Sequence, residues 1–140
     1  MDKIARCDAL VHAGDFMTTK ALREFRAIGP PLLAVHGNVD EPALRRALPA
    51  QLALELCGHE VVVIHDAGPK ARRIERLRDR FPGADAVIFA HSHVPAHETA
   101  AGFQIFNPGS PTERRRAPRH SMGLLRVSDD ALEFEHVALP

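Results

Sequence analysis

Trp and Tyr are both absent from these 140 residues, and Phe supplies the only aromatic rings. That removes most of the stacking platform on which single-stranded nucleic acid is usually held. Cysteine is scarce: Cys7 and Cys57 make neither a disulfide framework nor a spaced zinc motif, so a reducing, cytoplasmic setting is expected. No apolar run approaches the ~18 residues needed to cross a bilayer. The start, Met1-Asp2-Lys3-Ile4-Ala5-Arg6, lacks the hydrophobic stretch of a signal peptide. Neither sign of charge is in excess, since 18 basic and 18 acidic side chains give a formal net charge of +0. Without a global field, neither nucleic acid nor a membrane is expected as a partner.

What is present reads as one α/β domain over residues 1–140, long enough for a real core. Ala9-Leu10-Val11-His12 is a short buried strand stopping at Gly14. Residues 18–28 place Leu22, Phe25 and Ile28 at helical spacing, with Thr18 or Thr19 as N-cap and Gly29-Pro30-Pro31 as the stop. Leu32–Val35 is the next strand, followed by a short helix over 41–47 with Pro42 in its first turn. Leu52–Cys57 and Glu60–Ile64 read as strands joined at Gly58-His59. Residues 69–81 read as a basic helix with Ile74, Leu77 and Phe81 inward, its charged side a solvated face. Ala86–Phe89 is a buried strand. The remainder is a β-rich tail with strands at Gln104–Asn107, Met122–Val127 and Leu132–Val137 and a turn signal at Ala101-Gly102.

Five polar residues stand where apolar runs end: Asp15, Asn38, His65, His91 and His93. One carboxylate, one amide oxygen and three imidazoles suit a borderline transition metal: Mn, Fe, Co, Ni or Zn. Strand ends along one sheet edge are where such groups converge on a ligand. His12, His36, His59, His97, His120 and His136, taken singly, read as surface or satisfied structural histidines. Asp40 reads as a helix N-cap or a partner to a ligand rather than a ligand itself. The run Arg114-Arg115-Arg116, with Arg119 and His120, is a local basic patch in a Pro-flanked loop. A solvated charge run is the simpler account; a phosphate-gathering loop, with Arg114 and Arg115 binding substrate, is the functional one.

Taken in order, Gly14-Asp15, Gly37-Asn38-x-Asp40, a strand ending in His65, His91-x-His93 and Asn107-Pro108-Gly109-Ser110 resemble the calcineurin-like metallophosphoesterase superfamily. The short chain and the Asn-Pro-Gly-Ser segment are similar to its small YfcE-like phosphodiesterase branch. The resemblance spans about residues 8–127. It implies an α/β fold, a two-sheet β-sandwich flanked by helices, and a binuclear site where a metal-bound hydroxide attacks a small phosphate ester. By the same resemblance Asp15 bridges two ions, Asn38, His65 and His91 hold the second, and His93 belongs to the first. Asn38 and His91 are also the candidate catalytic positions. Mn is the expected ion, with Ni, Co, Fe or Zn as substitutes.

The departures qualify that expectation. Superfamily members open with an Asp-x-His motif at the end of a first strand, and no such motif occurs among the 14 residues before Asp15. The sandwich is therefore expected to lack its first strand, and this chain to hold possibly only one of the two ions. A misassigned start, a homodimer using the vacated strand position, or a decayed paralogue would each account for it. Val39 stands where many members carry a His that acts as general acid. Ala90 replaces a Gly before the His-x-His pair, a small change if its φ is negative. Asp66-Ala67 replaces a Gly-His and adds negative charge near the site. Two function classes follow: a metal-dependent phosphoesterase, or a binding or scaffold module that keeps the fold without turnover.

Overall fold

The computed structural model describes residues 7–16, 18–37, 40–110 and 120–139. In chain order their elements are β1 (Leu10–His12), α1 (Thr19–Arg26), β2 (Leu32–Ala34), α2 (Pro42–Ala47), β3 (Gln51–Leu56) and β4 (His59–Ile64). Then follow α3 (Arg73–Arg80), β5 (Ala86–Ile88), β6 (Ala96–Ala100), β7 (Phe103–Asn107), β8 (Ser121–Val127) and β9 (Leu132–Ala138). β3-β4-β5-β7-β6 form a five-stranded mixed sheet, parallel across β4-β5-β7 and antiparallel at both edges. β1 pairs in parallel with β2, and β8 pairs antiparallel with β9.

Side-chain alternation assigns the layers. The even residues Val62 and Ile64 of β4, with Val87, Phe89 and Ile105, pack under α3 through Leu77, Ile74 and Phe81. The odd residues Val61 and Val63, with Ala86 and Ile88, face the opposite way onto Ala13, Val35, Leu132, Leu125 and Phe134. β4 is thus buried on both faces, which is why its sequence is an unbroken apolar run. A third cluster joins Leu22 and Phe25 of α1 and Leu44 of α2 to Leu32 and Ala34 of β2. The order of layers is helix, five-stranded sheet, two small sheets, helices: the flanked α/β sandwich expected above, with its second layer made of two separate two-stranded sheets rather than one.

Local chemistry accounts for most boundaries. Thr18 caps α1, its Oγ1 accepting from the N–H of Ala21 at 3.1 Å. The β3–β4 turn is Cys57-Gly58 rather than Gly58-His59. Both residues have positive φ (50° and 83°), as a two-residue type I′ hairpin requires, and β4 begins at His59. The basic helix is shorter than 69–81 because Arg72 adopts φ 52°, which breaks helical geometry ahead of Arg73. β6 (AHETA) escaped the sequence reading because it is an edge strand with three of its five residues exposed, leaving no apolar alternation. Its turn, Ala101-Gly102 (φ 48° and 84°), did carry a signal.

The charged side of α3 is also more than a solvated face. Arg73 donates to the carbonyl of Gly68 at 3.3 Å. Arg76 donates to those of Ala67, Pro69 and Ala71, and Arg78 to that of Ala100. These guanidinium groups tie α3 to the backbone carbonyls of the preceding loop and of the end of β6.

His12, at the end of β1, is buried among rings: 3.7 Å from Phe16 between centroids, stacked, and 4.7 Å from Phe25, edge-on. Its Nδ1 accepts from the N–H of Gly14 at 3.1 Å, so the ring is neutral with its proton on Nε2. Burial lowers its pKa from 6.5 to about 4, with the Asp40 charge opposing that shift only in part. Protonation is therefore easier in the unfolded chain, and stability declines as pH falls from 6.5 toward 4, with no contribution above that window. For the metal-free chain we expect His12 alone to remove about 2 kcal/mol by pH 5. Urea unfolding of wild type and His12→Gln at pH 7 and pH 5 checks this; an equal loss in both proteins would refute it.

Candidate metal centre

Asp15 follows β1, His65 follows β4, and His91 and His93 follow β5, so both sheets deliver their strand ends to one place. Asp15 Oδ2 lies 3.2 Å from His65 Nε2, and His91 Nδ1 lies 3.3 Å from the same His65 atom. Donor atoms of Asp15, His65 and His91 all fall within 4.8 Å of one another. His93, which is not in that group, also approaches the carboxylate, its Nε2 4.0 Å from Asp15 Oδ2. One carboxylate oxygen therefore faces the His65–His91 pair and also His93.

Backbone geometry singles out the same positions. Among the described residues, six non-glycine residues have positive φ, and three of them are Asp15 (65°), His91 (65°) and His93 (61°). Two of the others are the hairpin turn residues Cys57 and Ala101, and the third is Arg72 before α3. A left-handed conformation in a residue with a Cβ costs about 1–3 kcal/mol and persists only where surrounding structure enforces it. Ala90 is not among these residues, so alanine in place of glycine adds no backbone strain there.

The enforcing contacts are visible. His65 donates from Nδ1 to the carbonyl of Ala13 at 2.7 Å, which fixes its tautomer and leaves Nε2 as a lone-pair donor. Asp40 is 5% exposed, and its Oδ2 accepts from the N–H of Gly37 at 2.6 Å and of Asp15 at 3.2 Å. Asp40 is thus no N-cap: Glu41 occupies that place in α2. It holds the Asp15 and Gly37 loops together, the supporting role that was the second half of the expectation. A Cβ on Gly37 would overlap Asp15 itself, and one on Gly14 would lie 2.7 Å from His65 Nδ1, so the close approach requires glycine at both positions.

The Asn107-Pro108-Gly109-Ser110 segment supports the His-x-His loop directly. Asn107 is fully buried; its Nδ2 donates to the carbonyl of Ala90 at 3.0 Å and to Ser92 Oγ at 3.2 Å. Its Oδ1 accepts from the N–H of Gly109 at 2.9 Å. His136, stacked on Phe106, donates from Nε2 to the Asn107 carbonyl at 2.7 Å. Ser92 and His136 have no sequence signal for this role, because their partners are distant in the chain.

The donor set fits a divalent transition metal. Ligand atoms ~2.1 Å from one ion stand ~3.0–3.4 Å apart at angles between square and tetrahedral, and the 3.2 and 3.3 Å separations match. Asp66 Oδ2, 4.0 Å from His91 Nε2, favours a proton on that nitrogen and so leaves Nδ1 as the donor atom. Asn38, Val39, Arg114 and Arg115 lie outside the described residues, as do Arg116 and Arg119.

Two substitutions test this frame. Asn107→Ala removes the two hydrogen bonds that hold the His91–His93 loop and should weaken Mn binding by about 10–100-fold. Gly37→Ala should displace the Asp15 carboxylate and weaken binding at least as much. Calorimetric titration with Mn on variants shown to be folded by circular dichroism measures both; unchanged affinity in either would remove that residue's positioning role.

The sequence profile of the calcineurin-like phosphoesterase superfamily domain matches residues 1–130. A probable metallophosphoesterase of Methanocaldococcus jannaschii is 30% identical over 131 residues, covering 91% of this chain. This chain spans 65% of that relative's length. Among solved structures, Vps29 of Entamoeba histolytica complexed with Zn2+ superposes with a TM-score of 0.78 at 18% identity, covering 98% of this chain and 86% of that one. An archaeal phosphodiesterase superposes with a TM-score of 0.75 at 17% identity, covering 94% and 83%. Both structural likenesses concern the fold, whereas the profile match runs through every motif at the site described above. The chain belongs to the calcineurin-like phosphoesterase superfamily.

Proposed function

We propose that this chain hydrolyses phosphate esters, phosphodiesters foremost, at a centre for two divalent ions. In this reading Asp15 lies between the ions, Asn38, His65 and His91 hold one, and His93 contributes to the other. The observation that carries it is that a single oxygen, Asp15 Oδ2, stands 3.2 Å from His65 Nε2, within the Asp15–His65–His91 group, and 4.0 Å from His93 Nε2. A bridging role needs a carboxylate at that point, since an amide or hydroxyl brings no charge to share. Bound ions would supply a lowered water pKa and offset the charge of a phosphoryl group.

The chain's own residues contribute order. The Ala13 carbonyl holds His65 in one tautomer, Asp40 holds the Asp15 loop, and Asn107 holds the His-x-His loop. Ligand groups that need no rearrangement to meet an ion bind it more tightly and present the reacting ester to a fixed geometry.

The direct test combines metal counting with turnover of bis(p-nitrophenyl) phosphate by Mn-loaded protein. We expect chelation to abolish hydrolysis, and Asp15→Asn and His65→Asn each to lower it by on the order of 100-fold or more. Hydrolysis that survives chelation would sink the metal-dependent reading. Retained ion binding without turnover of any ester would favour the binding-module alternative.

A further inference from the structure

Beside the metal-site residues, outside the carboxyl end of β4, lies a cavity of about 220 Å³. His65 and Asp66 form the wall it shares with the centre. His36, Arg45, Gln51 and Arg80 come from β2's exit, α2, β3 and α3. The lining counts two arginines against one aspartate, a formal excess of one positive charge. Asp66 is partly committed elsewhere: its Oδ1 accepts from the N–H of Gly68 at 2.8 Å, and its Oδ2 faces His91.

Arg73 and Arg78 lie over Phe89 and Phe103 and also donate to backbone carbonyls, as Arg76 does; Arg80 lies over the Phe81 ring at 4.8 Å and lines the cavity. Stacking restrains the guanidinium and lowers the entropy lost when it binds an anion. The volume admits a phosphate with a short alkyl link.

We propose that this cavity is a second phosphate subsite, so that the substrate class is a phosphodiester carrying a further phosphate on one of its alcohols. The inference rests on the phosphoesterase reading above. In it, Arg45 and Arg80 bind the distal phosphate through charge-assisted hydrogen bonds, and Gln51 adds an amide donor. The scissile phosphate then lies at the Asp15–His65–His91 group, which shares His65 with the cavity lining. Arg45 and Arg80 are specificity residues here, with no part in the bond-breaking step.

The test uses two chromogenic diesters that differ only in the distal group: p-nitrophenyl 2-phosphoethyl phosphate and p-nitrophenyl ethyl phosphate. With Mn-loaded wild type, the phosphoethyl ester should show a KM at least about tenfold lower. Arg45→Gln and Arg80→Gln should each raise that KM about tenfold while leaving the ethyl ester's kinetics unchanged. Equal KM values for the two esters, or variants that affect both esters alike, would overturn the subsite while leaving the phosphoesterase reading intact.

A second measurement is independent of metal and turnover. In the metal-free chain, 2-phosphoethanol should shift the amide resonances of Ala50, Gln51 and Asp66, and the Arg45→Gln/Arg80→Gln double variant should lose those shifts. If neither ester is hydrolysed, the phosphoesterase reading falls and these shifts alone decide the subsite. Their absence in wild type would overturn it.

Discussion

A hydrogen bond of 2.7 Å from His65 Nδ1 to the Ala13 carbonyl joins the end of β4 in the five-stranded sheet to the end of β1 in the layer facing it. It lies in a buried setting, where an unmade bond leaves an acceptor desolvated at a cost of about 1–3 kcal/mol. Three things follow from it. The two layers are held in one register at the site edge, the imidazole is confined to one tautomer, and Nε2 is directed at Asp15. Asp40 performs the matching task one loop away, where its carboxylate draws the Gly37 and Asp15 amides together.

The strain at the site has meaning only with these supports. Asp15, His91 and His93 occupy left-handed backbone conformations that are disfavoured in a free peptide. The His-x-His loop is held through Asn107, itself anchored by His136 from the last strand. Side chains from β1, β4, β5, β7 and β9 therefore act on one small volume. The apolar clusters on either side of β4 supply the rigidity that lets them do so.

Much of this was legible beforehand where the signal is local. The ligand candidates stand at strand ends because an apolar run that stops at Gly14, Gly37 or Asp66 marks a chain leaving the core. Thr18 and the stop at Gly29 framed α1 within two residues of its observed ends. Illegible were features whose partners lie far away in sequence. β6 carries no alternation because an exposed edge strand has no buried face to record. The arginines of α3 looked like a solvated face because their acceptors are backbone carbonyls, which leave no trace in side-chain pattern. Asp40 was readable as a supporting residue, although the N-cap alternative was equally open until its acceptor contacts were placed.

Sequence alone determined the family, the α/β class, the positions of the polar residues at strand ends and the glycines beside them. Each of these is written in local periodicity, turn chemistry and motif order. Only tertiary structure decided which donor atoms meet, that one oxygen of Asp15 comes near both His65 and His93, and that Arg45 and Arg80 share a cavity with His65. The physical reason is that convergence depends on strand register and layer packing. Those are set by many weak apolar contacts acting together, and no single residue encodes them.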